Sequence, residues 1–296
     1  MSSPILHFIS PPIPYFIDCG RAFYCVGERH VSRNSIGVFD LVVVTKGTLC
    51  LGEGETEWII QEGESFILRP DASHFGTEAC NTNTEIIWIH FHTFGAWEEC
   101  MSMGDCLDNQ SALFASHKQT AYLNHSEVCS VFLPKHMRLK PKAMDILEQF
   151  FQLEDEPRSL RNWKRQSVFQ IFIQYLDREL ASTSDGTAFN LAEKIELFIR
   201  QNYSNKITNS ILQSVLNYHP NYMARCMLKV YGMTPMDYLL QYRIEQAKKL
   251  LVQTEWSATR ISEEVGFQHG SYFTFCFSNK EGISPLNFRR KMRGHL

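Results

Sequence analysis

The sequence predicts an α+β chain of more than one domain. A small antiparallel β-barrel of jelly-roll type, with helices behind it, precedes an all-α domain that carries two helix-turn-helix units. Three observations support this. Between Phe23 and Leu133, short apolar runs are broken repeatedly by Gly and Pro, as in a chain of many short strands. From about Lys142 the apolar spacing becomes that of helices. The charge also changes sign: from Phe189 onward there are 14 Lys and Arg against 8 Asp and Glu, while the remainder has 15 against 24, so a net charge of −3 conceals a basic C-terminal third.

Composition narrows the class. The chain has 296 residues, long enough for two domains, and at 44% hydrophobic and 21% charged it reads as an ordinary globular protein. Its longest apolar run, near Phe39 to Val44, falls far short of the roughly 18 residues a membrane helix needs. The N-terminus has no basic start or apolar core, and Pro4, Pro11, Pro12 and Pro14 interrupt it, so a signal peptide is not expected and a cytoplasmic location without a membrane partner is. The nine cysteines are odd in number and include no C-x-x-C pair. That pattern points to reduced thiols, with neither a disulfide framework nor a metal site nor a cofactor expected.

In order along the chain, Met1 to about Cys19 reads as an irregular Pro-rich arm. Strands are expected over Phe39 to Thr45, Thr48 to Leu51, Glu57 to Ile60, Ser65 to Leu68 and Glu85 to His92, with turns at Lys46-Gly47 and Glu62-Gly63-Glu64. Met144, Leu147, Phe150 and Phe151 make one helical stripe, and Trp163, Val168, Phe172, Tyr175, Leu176 and Leu180 a second. The Ser/Thr/Gly-rich stretch Ala181 to Asn190 reads as a linker. The expected domains are therefore residues 1–140 (a barrel with its arm), 141–181 (a helical pair), 182–190 (linker) and 191–296 (the helical domain).

The helical domain contains two similar units. Thr208 is placed to cap a helix with Leu212, Val215 and Leu216 inside, and Asn217 to turn the chain. Pro220 opens a second helix, with Met223, Cys226, Met227 and Val230 inside and Gly232 as its stop. A long helix from Pro235 to about Gln253 leads to the second unit, where Ile261 and Val265 share a face, Gly266 turns, Phe273, Cys276 and Phe277 face inward, and Gly282 and Pro285 end the pattern. A helix, a tight turn and a second helix is the arrangement whose second helix can enter a DNA major groove.

Gly266-Phe267, Ser271-Tyr272-Phe273, Phe277, Gly282-Ile283-Ser284-Pro285 and Arg289 resemble the signature of the AraC/XylS family of bacterial transcription regulators. With the first unit and the Arg243-Ile244 and Ala247 to Leu251 pattern of the linking helix, the resemblance covers the C-terminal hundred residues or so. It implies a regulator that binds double-stranded promoter or operator DNA and works with RNA polymerase. Carried over position by position, it gives Asn221, Arg225 and Lys229 in the first recognition helix, the first two at base edges and the last at phosphate. In the second it gives Ser271 and Thr274, with His269 and Lys280 near the backbone. Departures from the pattern are Gln213 for a small residue, Asn217 for the turn glycine, Phe275 where Arg often reaches DNA, and Ser278-Asn279 for a basic pair. The first unit is therefore expected to supply more of the specificity.

The front half resembles the cupin-type sensor domain of the same family, at Lys46-Gly47, Gly63-Glu64, Arg69-Pro70, Ser73-His74-Phe75 and Trp88-Ile89-His90-Phe91. That resemblance implies a small-molecule effector, a sugar being the natural candidate, held by Lys46, His74, Phe75, Trp88 and His90. Together the two resemblances imply a ligand-responsive homodimeric activator of carbohydrate-related genes. His74, His90 and His92 do not follow the order of the cupin metal motif, so no metal is expected there. Two other classes remain open on sequence alone. One is a cupin-fold enzyme with a helical tail, for which no Ser/His/Asp, Cys/His or phosphate-loop constellation speaks. The other is a helical interaction module that does not bind DNA, which the apolar Phe275 keeps in view.

Overall fold

The computed structural model describes residues 3–116 (110–116 as backbone), 129–181 and 187–294. The chain divides into two units, Met1–Gly186 and Thr187–Leu296.

The first unit contains β1 (Ile5–Ser10), β2 (Tyr15–Tyr24), β3 (Phe39–Lys46), β4 (Thr48–Glu53), β5 (Thr56–Gln61), β6 (Glu64–Leu68), β7 (His74–Gly76), β8 (Thr84–His92), β9 (Trp97–Cys100), α1 (Met103–Ser116), β10 (Cys129–Pro134), β11 (His136–Arg138), α2 (Pro141–Phe151) and α3 (Arg158–Ala181). Its strands pair antiparallel in three sheets, ordered β10-β1-β9, β11-β6-β3-β8-β2 and β5-β4-β7. The unit is the sheet-rich domain that the sequence predicts, and its sheets are open. The cause lies in the pairing: β4 follows β3 through a tight turn but hydrogen-bonds β5 and β7, so the chain changes sheets at that corner.

Strand β3 shows how sequence sets the layers. Its β-branched run is buried on both faces, and the period of two divides it. Phe39, Leu41 and Val43 join Ile87, Ile89 and Phe91 of β8 and the inner faces of α2 and α3 in the larger core. Val42 and Val44 turn the other way and meet Leu49, Leu51 and Ile60 of the β5-β4-β7 sheet. Lys135 is buried between the sheets, paired with Glu53 and, at 2.8 Å, with Glu99, which also accepts from Arg69 at 3.4 Å.

Three expectations change in this unit. The Pro-rich arm is instead strand β1, buried at every position and central in its sheet, because Ile5, Leu6, Phe8 and Ile9 are too apolar to remain in water. Helix α1 interrupts a region read as entirely β. Trp163, read as the start of the inner stripe of α3, is 75% exposed, and the stripe begins at Val168.

The second unit is helical: α4 (Thr187–Asn202), α5 (Asn209–Leu216), α6 (Pro220–Tyr231), α7 (Pro235–Gln253), α8 (Ala258–Glu264), α9 (Gly270–Glu281) and α10 (Pro285–Met292). Residues 187–190, assigned to the linker, form the first turn of α4, and burial of Phe189 and Leu191 explains why. The rest of that linker, 182–186, lies outside the described residues. The hydroxyls of Thr208, Thr234, Ser257 and Ser284 accept from backbone N–H groups at the starts of α5, α7, α8 and α10. Asn217 has φ 59°, the left-handed conformation that asparagine tolerates better than most residues.

Candidate DNA-binding surface and effector site

The two helix pairs repeat with an offset of fifty residues: His219 and His269, Tyr222 and Tyr272, Cys226 and Cys276, Gly232 and Gly282, and Pro235 and Pro285 correspond. In each, the second helix turns its apolar side inward. Met223, Cys226, Met227 and Val230 of α6 are buried, as are Phe273, Cys276 and Phe277 of α9. Helix α7 packs against members of both pairs.

The turn of the second pair depends on glycine. Gly266 has φ +89°, and a Cβ there would lie 2.7 Å from the Tyr203 and Ser204 carbonyl oxygens and 2.8 Å from Arg243 Nη2. Arg243 holds that corner: its Nε donates to Tyr203 O and its Nη2 to Asn205 O, each at 2.8 Å, and its guanidinium lies over the Phe267 ring.

The outward faces differ in chemistry. On α6, Asn221, Arg225 and Lys229 are exposed at a spacing of four and share one face. Their side chains make no hydrogen bond or ion pair among the described residues, and Arg225 lies over the Tyr222 ring at 5.6 Å. On α9 the exposed residues are Ser271, Tyr272, Thr274, Phe275, Asn279 and Lys280, with Phe275 61% exposed. The Thr274 hydroxyl donates to Gly270 O at 2.9 Å, and Lys280 donates to Gln241 Oε1. His219 accepts the Asn221 N–H and caps α6, whereas His269 stands at the same position of α9 without a side-chain cap.

Much of the basic excess read from sequence is occupied internally. Arg243 and Arg289 bind backbone carbonyls, Arg293 pairs with Glu255 as well as carbonyls, Arg200 pairs with Glu196, and Lys248 bridges Glu245 and Glu281. The cations left for an outside partner are fewer, and among them Arg225 and Lys229 share one face of α6 while Arg290 and Lys291 adjoin on α10.

In the first unit, buried polar groups gather between the β3-β8 pair and β7. Asp40 and His90 are register partners, with Asp40 Oδ2 3.6 Å from His90 Nε2. His74 sits on β7, paired through its backbone with Arg33, and its ring centroid is 5.5 Å from that of His30. The Tyr24 hydroxyl is 2.9 Å from His30 Nδ1. Burial lowers the pKa of His74, and burial with the neighbouring His74 draws His30 down to about 4, so both rings are neutral at pH 7. Asp40 Oδ1, His30 Nε2, both nitrogens of His74 and His90 Nε2 are buried with no hydrogen-bond partner among the described residues. Buried polar atoms are ordinarily paired, and these five lie in one group. The Trp88 ring lies 4.7 Å from that of His90, tilted by 39°, and it lies across Gly20, where a Cβ would come within 2.5 Å of its ring.

Of the expected effector residues, the structure therefore brings together His74, Trp88 and His90. Phe75 is half-buried on the neighbouring position of β7. Lys46 stands apart: its side chain is 63% exposed and 3.7 Å from Glu85, because β3 has reached the surface there. Sequence reasoning missed Asp40, His30 and Tyr24. The available signal was a carboxylate inside the apolar run Phe39 to Val44.

Comparison with known proteins agrees with this architecture. A family model described as a helix-turn-helix domain matches residues 212–291. An uncharacterised helix-turn-helix transcriptional regulator of Bacillus subtilis (strain 168), YisR, is 30% identical over 295 residues, covering 97% of this chain and 97% of its own. The Msm operon regulatory protein of Streptococcus mutans is 21% identical over 258 residues, covering 87% of this chain and 85% of its own. Among solved structures, the C-terminal domain of the response regulator yesN from Fusobacterium nucleatum is 36% identical with a TM-score of 0.33, covering 34% of this chain and 98% of that one. The fold and its helix pairs are those of a DNA-binding transcription regulator. The chain belongs to the AraC family of helix-turn-helix transcriptional regulators.

Proposed function

We propose that this regulator is a ligand-responsive homodimeric activator that reads its operator mainly through α6 and works with RNA polymerase in the cytoplasm, without enzymatic activity of its own. The observation that carries the DNA-reading part is the face of α6, where Asn221, Arg225 and Lys229 stand together with no hydrogen bond or ion pair among the described residues. Arg pairs bidentately with guanine and Asn with adenine in the major groove, and Lys229 suits a phosphate. Helix α9 offers Ser271 and the rings of Tyr272 and Phe275, with His269 and Lys280 at its ends. Such a face contacts thymine methyl groups and backbone more readily than it discriminates among bases.

The effector reading rests on the orphaned group of Asp40, His30, His74 and His90 beside the Trp88 ring. A carboxyl group, imidazoles and an aromatic face suit a small polyhydroxylated molecule such as a sugar, while Lys46 contributes to the surface instead. Dimerisation is supported by α3, where exposed Leu160, Trp163 and Ile171 lie along one side, and Trp163 and Ile171 border a groove of about 390 Å³ against α2. A second copy would cover this apolar strip.

The test is footprinting of the full-length protein on DNA upstream of its own gene and its neighbours, followed by titration of Arg225→Ala. That variant should lose about 1–3 kcal/mol at one operator position. Equal affinity at every position would remove Arg225 from the base-reading role. A panel of sugars screened by thermal shift against wild type and Asp40→Asn tests the effector site, since shifts identical in both proteins would place the effector elsewhere.

A further inference from the structure

The β10-β1-β9 sheet has a second face, directed away from the large core. Leu6 and Phe8 of β1 enter that core, so His7 points to the other side by the alternation of the strand. In the pairing of β1 with β9, His7 lies opposite Glu98 and Ile5 opposite Cys100. Helix α1 packs over this face and buries Met103, Cys106 and Leu107. The result is a convergence of one imidazole and two thiols. The ligand atoms of His7, Cys100 and Cys106 all lie within 4.8 Å of one another, and all three residues are buried.

We propose that His7, Cys100 and Cys106 bind a divalent thiophilic cation of the zinc class. The donor set selects the ion: two sulfurs and an imidazole nitrogen suit zinc, whereas calcium and magnesium require oxygen ligands. Charge points the same way, because two thiolates and a divalent cation sum to zero in a buried place, while a monovalent ion would leave a net negative charge there. Binding exchanges two S–H bonds for two S–metal bonds. The two protons pass to solvent and no electron is transferred. Zinc–sulfur bonds of about 2.3 Å and zinc–nitrogen bonds of about 2.0 Å call for ligand separations near 3.5–3.8 Å, so the three atoms close by about an ångström.

The surroundings are those of a supported ligand. The His7 ring stacks on Phe132 at 4.6 Å, and its nitrogens lie 3.1 Å from Glu98 Oε1 and 2.8 Å from Ser130 Oγ. It can keep one of these partners as outer support and release the other to the ion, and a carboxylate behind a metal-bound imidazole raises its basicity. The Glu98 side chain is also the way in: it is 23% exposed, and its second oxygen accepts from Asn109 at the surface. The bound ion would tie β1 and β9 to α1 and clamp this corner of the first unit.

The experiment uses the full chain, purified under reducing conditions, stripped with a chelator and reloaded with zinc or cobalt(II). We expect one equivalent of zinc by elemental analysis, a rise in melting temperature on reloading, and thiolate-to-metal charge-transfer absorption from the cobalt form. Cys106→Ser, checked for fold by circular dichroism, should lose all three, whereas Cys276→Ser in the second unit should keep them. Glu98→Gln should weaken the metal about 10–100-fold. If Cys106→Ser fails to fold, peptide mapping of the wild type decides, with zinc expected to shield Cys100 and Cys106 from alkylation. Folded, reduced protein that takes up neither ion, a Cys106→Ser protein that keeps the cobalt spectrum, or alkylation indifferent to zinc would overturn the site. So would a Cys100–Cys106 disulfide that persists in reductant and refuses metal.

Discussion

The buried His30 makes the stability of the first unit depend on pH in a direction that can be worked out. In the folded chain its pKa is about 4, against an ordinary value of 6.5. Burial is the main cause, and His74 and Arg33 add to it while Asp40 opposes it. Between pH 6.5 and 4 the unfolded chain therefore carries a proton that the folded chain refuses. Stability is fully present above about pH 6.5, falls as the pH drops through that value, and stops falling from this cause near pH 4. A depression of about 2.5 pH units corresponds to roughly 3 kcal/mol. The perturbation is His30→Gln, which removes the titration and leaves an amide near the Tyr24 hydroxyl. The assay is urea unfolding followed by tryptophan fluorescence from pH 7.5 to 4. Trp58, Trp88, Trp97 and Trp163 all lie in Met1–Gly186, so the signal reports mainly on that unit. Carboxylates titrate equally in both proteins and cancel in the comparison. The wild type should lose about 3 kcal/mol more than the variant across this range; parallel curves would refute the reasoning.

Other outcomes follow from the same geometry. Gly266→Ala should cost about 2–4 kcal/mol locally, from left-handed strain and a displaced Arg243, and hydrogen exchange over 258–281 should rise accordingly. Lys135→Ala should destabilise by about 3–5 kcal/mol in thermal and urea melts, because it strands the buried Glu53 carboxylate. Restoration of part of that loss by a second change, Glu53→Gln, would identify stranded charge as the cause. Asp177 accepts the Phe132 N–H at 2.8 Å, and burial raises its pKa to about 6. This raised pKa weakens the fold above pH 6, so Asp177→Asn should stabilise by about 1–2 kcal/mol at pH 7.5, discounted for partial exposure, and lose that advantage below pH 4. Lys229→Ala should weaken DNA binding uniformly across sequences and reduce the salt slope by about one in gel-shift titrations.

The helices of the second unit were legible in the sequence because their signals are local. Thr208, Asn217, Gly232, Gly266, Gly282 and Pro285 each mark a boundary through the conformation or hydrogen bond of one residue, and the structure places each at a helix end or turn. The strands of β3 and β8 were legible for the same reason. Closure of the sheets was not, because whether β4 pairs with β3 or with β7 is settled by contacts far apart in the chain. The partners of the basic residues were equally hidden: nothing in the letters around Arg243 says that it is bound to the carbonyls of Tyr203 and Asn205. His7 and Glu98 are 91 residues apart; the pairing of β1 with β9 brings them and Cys100 together, and α1 supplies Cys106.

Strand β1 has a consequence for the birth of the protein. It leaves the ribosome well before its partners, β9 at Trp97–Cys100 and β10 at Cys129–Pro134. At translation rates of about 5–20 residues per second, its apolar face waits roughly 6–25 s for the second partner to be made. During that interval Ile5, Leu6, Phe8 and Ile9 form an unpaired segment that invites chaperones or a neighbouring nascent chain. Growth temperature and translation speed should therefore govern the soluble yield of this regulator more strongly than changes to its later-made DNA-binding helices.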